Sequence, residues 1–345
     1  MPRVAINIVR YNHDFPLIKK CLQAALNQDI ENYTVTLTEN GSTDSIKDEA
    51  LSQFGADSRF SYADNGTNLG FAGAHNLFFS KTDAEFLLPL NPDTEMTPGF
   101  LRALMTAFDD PKVAACTGKM LRFETLQDGT PVLDGTGIVI SRTRLARERG
   151  QLQADRNQFD NVRQVFGVSG TAPVYRKSAL ERVRLFEREY FDEDFFAYWE
   201  DVDLSWRLRL AGYQCMYVPD AVIYHARAFG LSKSGYKKPL ELARYRRPLP
   251  PAVLRWSWRN QLFTVVKNDF GWNFWRDLPF IAGLQLGMLC YATLLERRTL
   301  GAIPDMLRLF PRMLRKRKMI QSRRVATSEQ IRKWFAPKAT CSTNV

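Results

Sequence analysis

Short apolar runs alternate with helical patterns at the start of the chain. The runs are VAINIV (4–9), YTVTLT (33–38), RFSYA (59–63), EFLLPL (85–90) and VAACTG (113–118). Their length and composition are typical of buried strands. Between them, apolar positions follow i, i+3, i+4 spacing, as at Phe15, Ile18 and Leu22. Because the strands recur at about the length of a strand–helix–strand crossover, the pattern predicts an α/β fold with a doubly wound, mostly parallel sheet.

The pattern changes after the fifth strand. Residues 119–165 indicate hairpins and a basic, mobile loop around SRTRLARERG (141–150), and from about residue 240 the chain reads as helical, aromatic and basic. We therefore expect a first domain at 1–240, divided near residue 118, and a helical extension at 241–345. In doubly wound sheets ligands bind beyond the carboxyl ends of the strands, and the polar motifs lie at those ends.

Charge is divided unevenly between these regions. Residues 1–225 carry 24 basic and 31 acidic residues, whereas residues 226–345 carry 24 basic and 6 acidic ones, which gives net charges of −7 and +18. A basic tail of this kind indicates an acidic partner, such as a membrane surface or a nucleic acid. The five cysteines form no Cys-x-x-Cys pair, and the N-terminus lacks a signal-peptide layout. Both features predict a cytoplasmic protein with reduced thiols.

Two loops after predicted strands could contact a nucleotide. In TENGSTDSI the turn residues and a helix cap at Thr43 or Asp44 explain most of the motif, but not Glu39, an acid at the end of a core strand. That acid could accept hydrogen bonds from a base or ribose. In DNGTNLGFAGAHN, Gly70 and Gly73 would allow the backbone to approach a phosphate. The first strand is followed by RYNHD rather than glycines, which disfavours a nicotinamide-dinucleotide enzyme.

A carboxylate follows the fourth strand directly. In LLPLNPDTEM, Asp93 would stand at the carboxyl edge of the sheet, where it could hold Mg²⁺ or Mn²⁺ against a diphosphate. A turn or helix cap explains the same motif equally well. His225 ends another strand-like run and is either a second metal ligand or a histidine of the core.

Three acids lie together in FFAYWEDVDLSWRLRLAGY, residues 195–213. Acids in the first turn of a helix are favoured by its dipole, and Asp203 can pair with Arg207 at i+4, on the face that Glu200 shares. Asp201 points about 100° away from Glu200 and has no basic residue at i+3 or i+4. It is therefore the better candidate for a general base.

In this order the motifs resemble those of inverting family 2 glycosyltransferases of the bacterial GT-A type. The branch in question includes rhamnosyltransferases of O-antigen, capsule and cell-wall linker assembly. The matching segments are VRYN, ENGSTD, NLGFAGAHN, NPDT, WEDVDLSWRLRLAGY and, more loosely, WSWRN at 256–260. The resemblance covers roughly residues 3–230, and it implies a nucleotide-sugar half at 1–118 and an acceptor half at 119–240.

The resemblance also implies a role for individual residues. Asp201 matches the catalytic base, and Asp93 is the carboxylate that remains of the family's Asp-x-Asp metal site, with His225 as a further ligand. Glu39 replaces the aspartate that contacts the nucleotide base and is one methylene longer. Donor-binding positions are Glu39, Asn40, Asn68, Gly70, Gly73, Asn76 and Asn91. Acceptor-site positions are Trp199, Glu200 and Gly170.

The reaction implied is a single displacement with inversion, assisted by Mg²⁺ or Mn²⁺. The donor would be a dTDP- or UDP-sugar, rhamnose among the candidates, and the acceptor a glycan or lipid-linked hydroxyl. Two alternatives are a sugar nucleotidyltransferase of related fold and a nucleic-acid-binding protein that uses the basic tail. The first would need a glycine-rich loop after the first strand, and no nucleic-acid module is recognisable for the second.

An apolar run predicts contact with a membrane. Residues 278–295 contain no charged side chain over 18 positions, which is short for a membrane-spanning helix. Basic segments flank the run, and nucleotide sugars are cytosolic, so we expect a peripheral location on the cytoplasmic face of the inner membrane. Met306, Leu309, Phe310 and Met313 would form a second apolar face. The alternative is a helix buried against the core or against a second subunit of an oligomer.

Overall fold

A central sheet of ten strands organises the computed structural model, which describes residues 3–226 and 239–335. The strands are β1 (Val4–Arg10), β2 (Tyr33–Glu39), β3 (Phe60–Asp64), β4 (Phe86–Leu90), β5 (Thr94–Met96), β6 (Val113–Thr125), β7 (Pro131–Gly135), β8 (Ile138–Ile140), β9 (Ala146–Glu148), β10 (Gln164–Val165), β11 (Val174–Arg176) and β12 (Gln214–His225). The main sheet has the order β10-β12-β6-β11-β4-β1-β2-β3, with β5 paired to β12 and β7 to β6, while β8 and β9 form a separate hairpin.

Helices pack against the sheet, and those of the C-terminal region pack against its second half. They are α1 (Phe15–Leu26), α2 (Lys47–Phe54), α3 (Gly70–Lys81), α4 (Phe100–Met105), α5 (Lys177–Val183), α6 (Glu200–Leu210), α7 (Pro239–Arg246), α8 (Pro251–Asn268), α9 (Gly271–Leu295), α10 (Ala302–Ser322) and α11 (Ser328–Arg332). The predicted α/β class, with a mostly parallel sheet and a helical C-terminal region, is confirmed.

The first four strands form the doubly wound part that the sequence predicts. β1 pairs in parallel with both β2 and β4, and β2 pairs in parallel with β3. Apart from the partly buried Val9, the apolar side chains of β1, β2 and β4 are buried, as expected for parallel strands covered on both faces. Their carboxyl ends meet at one edge, where Arg10 is in register with Glu39, and Glu39 with Asp64.

The second half departs from a simple parallel sheet. The short strand β11 lies antiparallel between β4 and β6, and β12 then returns parallel to β6. β5 follows the Asp93 turn and pairs antiparallel with the end of β12, so that Thr94 is in register with His225. This pairing brings two motifs that are far apart in sequence to the same edge of the sheet.

The C-terminal helices pack against the second half of the sheet domain. Ile320 and Phe335 belong to a buried cluster with Trp206 of α6, and Met313 packs on Phe195 and Phe263. The predicted membrane-facing side of α10 is therefore wrong for Met313, which is fully buried because it fills this contact.

The predicted basic loop of residues 141–150 is also held by the C-terminal helices. Its Arg144 is fully buried between Asp269 and Asp277. The division at residue 240 remains a prediction, although side chains from both sides of it share one core.

Candidate active site

Asp93 and His225 lie together at the carboxyl edge of the sheet. His225 Nε2 is 3.3 Å from Asp93 Oδ2, and its other ring nitrogen, Nδ1, is 2.8 Å from Oδ2 of Asp134 on β7. Asp134 is fully buried. A histidine whose second nitrogen is fixed by a buried carboxylate is the usual arrangement of a metal-binding histidine. The pair Asp93 and His225 therefore suits a hard divalent cation that also takes phosphate oxygens.

The two carboxylates also set the charge of His225. Burial opposes protonation of the ring, but the hydrogen bonds to Asp134 and Asp93 outweigh it and raise the pKa of His225 to about 9. Both carboxylates thus already interact with positive charge on the ring. Ligation of a metal through Nε2 would require this nitrogen to lose its proton, so the proton and the metal compete for the position.

The two predicted donor loops are tied to one another. Asn40 Oδ1 accepts hydrogen bonds from the side chain of Asn65 and the backbone of Leu69, and Asn40 Nδ2 donates to Asn68 Oδ1. Asn68 Oδ1 also accepts from the N–H of Gly70. The asparagines predicted as donor ligands are therefore part of the framework that shapes these loops.

Gly70 is required by a close approach as well as by its backbone. Its φ is +70°, and a Cβ atom would lie 2.5 Å from the carbonyl oxygen of Phe196. Ala72 donates its N–H to the same carbonyl at 3.1 Å. At Gly73 a Cβ atom would be 3.1 Å from the Cβ of Leu69. The donor loop therefore packs closely against the segment that precedes the acid motif.

Glu39 is engaged by the protein on both carboxylate oxygens. Oε2 binds Arg10 Nη1 at 2.6 Å, and Oε1 accepts the N–H groups of Asn40 and Ser42 at 3.0 and 3.1 Å. Arg10 also binds Asp44 at 2.7 Å. The predicted helix cap at Thr43 or Asp44 is therefore wrong, since the Asp44 carboxylate pairs with Arg10 and α2 begins after Ile46 without a side-chain cap.

Asn76 joins the donor helix to the acceptor side. Its Nδ2 donates to the carbonyl of Phe191 at 2.9 Å and to Glu193 at 3.0 Å, and its Oδ1 accepts the N–H of Phe191 at 2.8 Å. The side chain is almost fully buried. Any contact of Asn76 with a donor stays a prediction.

Asp201 faces the loop that contains Gly170. The N–H of Gly170 donates to Asp201 Oδ2 at 2.9 Å, and Asp201 is only partly buried. Next along this loop, the carbonyl of Thr171 accepts the N–H of Asn91 at 2.8 Å. The turn that carries Asp93 and the loop that orients Asp201 are therefore directly hydrogen-bonded neighbours.

The other two acids of the motif have different surroundings. Asp203 is fully buried and binds Arg207 at 2.9 Å, so the predicted pair is confirmed. Glu200 does not share that pairing: its Oε2 has no hydrogen-bond partner within residues 3–226 and 239–335. Burial, and next the charge of Asp201, raise its pKa well above the ordinary value. Burial therefore favours the protonated form of the Glu200 carboxyl.

Trp199 caps helix α6 in an unusual conformation. Its φ is 72°, in the left-handed region, and its side chain is partly buried between two apolar clusters. Phe196, three residues earlier, also has a positive φ, and its ring packs at a tilt against that of Trp256 of α8, with 4.5 Å between the centroids.

Two residues near the site, Asp134 and His13, were not predicted from the sequence. Asp134 lies on β7, which pairs with β6 in the region where hairpins were predicted, but the sequence did not indicate which residues pair. His13 follows β1, and its Nδ1 is buried without a partner among the described residues. Burial lowers the pKa of His13, with the charge of Asp93 acting against this shift. The only sequence signal was the scarcity of histidine, three in the whole chain.

The glycosyl transferase family 2 model matches residues 6–184, which is more than half of the chain. The N-acetylglucosaminyl-diphospho-decaprenol L-rhamnosyltransferase of Mycobacterium tuberculosis is 28% identical over 222 residues, 56% of this chain and 67% of that relative. The rhamnosyltransferase WbbL of Escherichia coli is 29% identical over 229 residues, 63% of this chain and 80% of the relative.

Solved structures show the same fold at low identity. A mannosyltransferase, PcManGT from Pyrobaculum calidifontis, in complex with GDP-Man and Mn²⁺, superposes with a TM-score of 0.51 at 16% identity, over 96% of this chain and 86% of that one. S. aureus TarS in complex with UDP gives 0.51 at 13% identity, over 96% and 91%. Taken with the family model, these similarities select one of the three hypotheses: the chain belongs to glycosyl transferase family 2 and is a glycosyltransferase of the GT-A fold.

Proposed function

We propose that the chain transfers a sugar, with rhamnose as first candidate, from a dTDP- or UDP-sugar to a hydroxyl of a glycan or lipid-linked acceptor. Transfer would proceed with inversion and serve cell-surface polysaccharide synthesis. The sugar is suggested by the two rhamnosyltransferase relatives, and the lipid-linked acceptor by the mycobacterial one.

One observation carries this proposal. The hydrogen bond of 2.8 Å between Asn91 N–H and the Thr171 carbonyl joins the turn of Asp93 to the loop that binds Asp201. A metal-bound diphosphate and a base on its acceptor side need to be neighbours for a single displacement. The two candidate groups stand on adjacent segments of the fold.

Asp201 is assigned as the general base. As the acceptor oxygen forms a bond to the anomeric carbon, its proton passes to the Asp201 carboxylate, and the bond from that carbon to the diphosphate breaks with its electrons on the leaving phosphate oxygen. The hydrogen bond from Gly170 orients one carboxylate oxygen of Asp201. Trp199 and Glu200 would shape the acceptor side.

Asp93 and His225 would hold a divalent cation, Mg²⁺ or Mn²⁺, with Asp134 fixing the histidine ring. The cation would supply positive charge against the charge that builds on the leaving diphosphate. The donor loops around Asn40, Asn68 and Gly70 would present backbone to the nucleotide. Glu39 would shape the pocket for the nucleotide base indirectly, through Arg10, because both of its carboxylate oxygens already accept hydrogen bonds from the protein.

A membrane surface is the proposed location, on the cytoplasmic side. Helix α9 is the one helix in the described parts of the chain that is long and apolar enough to cross a membrane, yet only 11% of its most apolar stretch is buried. Trp272 and Leu294, near its two ends, are 73% and 77% exposed. This exposure argues against the helix being buried in the core of a single chain.

Contacts along α9 favour a helix that lies parallel to the membrane surface rather than one that crosses the bilayer. Near its start Asp277 binds Arg144 at 2.9 Å, and at its middle Gln285 binds Trp258 and Gln261 at 3.0 and 2.7 Å. A helix held to the protein along one side cannot leave it to span a bilayer. Arginines near the two ends of α9 and on α10 are exposed, as expected for an interfacial helix on anionic lipid: Arg276, Arg297, Arg298, Arg308 and Arg315.

The membrane proposal is tested with vesicles that contain phosphatidylglycerol. Leu286→Glu and Leu294→Glu should reduce co-sedimentation, whereas Leu51→Glu, at an exposed leucine of α2, should not. Equal binding of all proteins would contradict the proposal. A dimer that the α9 variants dissociate, without vesicle binding by the wild-type chain, would instead assign the face to a second subunit.

The transfer proposal is tested with a panel of nucleotide sugars. Purified protein is incubated with dTDP-rhamnose, UDP-sugars and GDP-mannose, with and without Mn²⁺, and nucleoside diphosphate release is measured beside transfer to a lipid-linked acceptor. We expect metal-dependent release with one dTDP- or UDP-sugar. Release from none of these donors under any metal condition would contradict the proposal.

A further inference from the structure

The segment that precedes the acid motif has an energetically unfavourable backbone conformation. Between Glu189 and Glu200, the three residues Phe196, Tyr198 and Trp199 have φ values of 65°, 71° and 72°. Left-handed conformations of bulky residues are unfavourable and persist only when the surroundings impose them. This acceptor loop, residues 189–199, must therefore be held by contacts from elsewhere.

Helix α8 supplies one set of these contacts. The buried Asn260 directs its Nδ2 at three backbone carbonyls, those of Phe195, Ala197 and Tyr198, at 3.0, 3.0 and 2.9 Å. The neighbouring Arg259 donates to the carbonyl of Asp194 at 2.7 Å. Side chains of α8 therefore hold the C-terminal half of the loop through hydrogen bonds to its main-chain carbonyls.

Helix α10 supplies a buried positive charge to the other half. Lys316 Nζ lies 2.5 Å from Glu189 Oε1, 2.5 Å from Asp192 Oδ1 and 2.7 Å from Asp194 Oδ2, and its side chain is fully buried. A second ammonium, that of Lys267, contacts Asp192 from the other side. Burial would raise the pKa of Asp192, but the two lysines outweigh it and hold that pKa well below its ordinary range.

The three acids around Lys316 have the arrangement of a metal site. One oxygen from each of Glu189, Asp192 and Asp194 lies within 4.8 Å of the others. Carboxylates so close repel one another unless a cation lies between them. Here the ammonium of Lys316 occupies the place that a divalent ion would take.

We infer that Lys316 is a positioning residue that serves as a built-in cation for the acceptor loop and, through that loop, places Asp201. The inference rests on the proposed function, since it takes Asp201 to be the base. It assigns the C-terminal helices a part in the acceptor site that is separate from any membrane contact. The loop also contacts the donor side through Asn76 and Ala72, so its position affects how the two substrates meet.

Replacement of the lysine by a metal ion tests the inference. Lys316→Met keeps the aliphatic stem and removes the charge, which leaves three adjacent carboxylates. We expect its melting temperature to fall by roughly 5 °C or more. Addition of Ca²⁺ alone, without donor, should then raise the melting temperature of this variant well above any rise in the wild type. Lys318→Met, at an exposed lysine of the same helix, is the matched control and should behave as wild type.

A lysine that does not act as the cation of this cluster predicts a different result, namely lost stability without a specific response to Ca²⁺, whereas the positioning of Asp201 is tested by turnover. A Lys316→Met protein that melts like the wild type, or whose melting Ca²⁺ shifts no more than that of Lys318→Met, would overturn the inference. The double variant Lys316→Met with Asp194→Asn should lose the response to Ca²⁺, because one of its three ligands is gone.

A milder variant covers the case in which Lys316→Met does not fold. Asp194→Asn alone removes one acid at the partly exposed rim of the cluster. Turnover should fall about 10²-fold, the loss that ~1 Å of misplacement can cause, while nucleoside diphosphate affinity is unchanged. Wild-type turnover in this variant would contradict positioning through the loop. If Asp201→Asn were fully active, the proposed base would be wrong, but the Ca²⁺ response of Lys316→Met would still report on the built-in cation.

Discussion

The backbone N–H of Asn91 donates a hydrogen bond to the carbonyl oxygen of Thr171 at 2.8 Å. Asn91 begins the turn that carries Asp93, and Thr171 follows Gly170, which binds Asp201. These segments are 80 residues apart in sequence and come together because β11, which follows Thr171, is inserted beside β4. The strand order of the sheet therefore sets the spacing between the candidate metal ligands and the candidate base.

Removal of the Asp93 carboxylate should abolish the metal-dependent part of donor binding. Asp93→Asn keeps the size of the side chain but takes away the charge beside His225. Calorimetry with UDP and dTDP should show the metal-free affinity unchanged and the gain from Mn²⁺ lost. Asp48→Asn, at an exposed acid of α2, is the control. An undiminished Mn²⁺ effect in Asp93→Asn would show that the cation is held elsewhere.

Asp134 should matter for metal affinity although it would not touch the metal. Its carboxylate holds Nδ1 of His225 at 2.8 Å, and loss of such an outer partner typically weakens metal binding by roughly 10- to 100-fold. We expect Asp134→Asn to require correspondingly more Mn²⁺ for UDP binding, with its maximal binding retained. The Mn²⁺ titration of the wild type is the reference, and an identical midpoint would refute the assignment.

Asp203→Asn should be strongly destabilising. Asp203 is fully buried and contacts Lys267 at 2.8 Å, Asn268 at 2.7 Å and Arg207 at 2.9 Å. Removal of one partner from a buried ion pair costs about 3–5 kcal/mol, far more than an exposed helical pair would. Urea unfolding at neutral pH measures this loss. A change below about 1 kcal/mol, typical of exposed pairs, would mean that the network is open to water.

Glu200→Gln should be tolerated and should flatten the pH dependence of stability. Because burial raises the pKa of Glu200 in the folded chain above that of the unfolded chain, the folded state binds the proton more tightly. Stability from this group is therefore greatest below its ordinary pKa of 4.5 and declines as pH rises toward the raised value. Urea unfolding from pH 5 to pH 8 should show a shallower decline for Glu200→Gln. An equal or steeper decline would contradict a raised pKa of Glu200.

Local patterns in the sequence were enough to predict the strands β1, β2, β4 and β6, because the apolar runs that form them are largely buried on the sheet. They also predicted β3, although its side chains are only partly buried or exposed. They also identified the Asp203–Arg207 pair, which depends only on helical spacing. They could not show that Asp134 reaches His225, since a short strand with shifted register brings the two together. Nor could they show that Lys316 neutralises acids more than 120 residues away, which only the packing of α10 determines.

Asp201→Asn tests the central claim most directly. The substitution preserves the shape of the side chain and removes its basicity, so we predict unchanged melting and unchanged Mn²⁺-dependent UDP affinity. Sugar transfer to the acceptor should fall by a factor of about 10² to 10⁴, the usual contribution of a positioned general base. The measurement is transfer rate beside melting temperature for Asp201→Asn and Glu200→Gln. Near wild-type transfer by Asp201→Asn, together with an inactive Glu200→Gln, would contradict the account and assign the base to the other carboxylate.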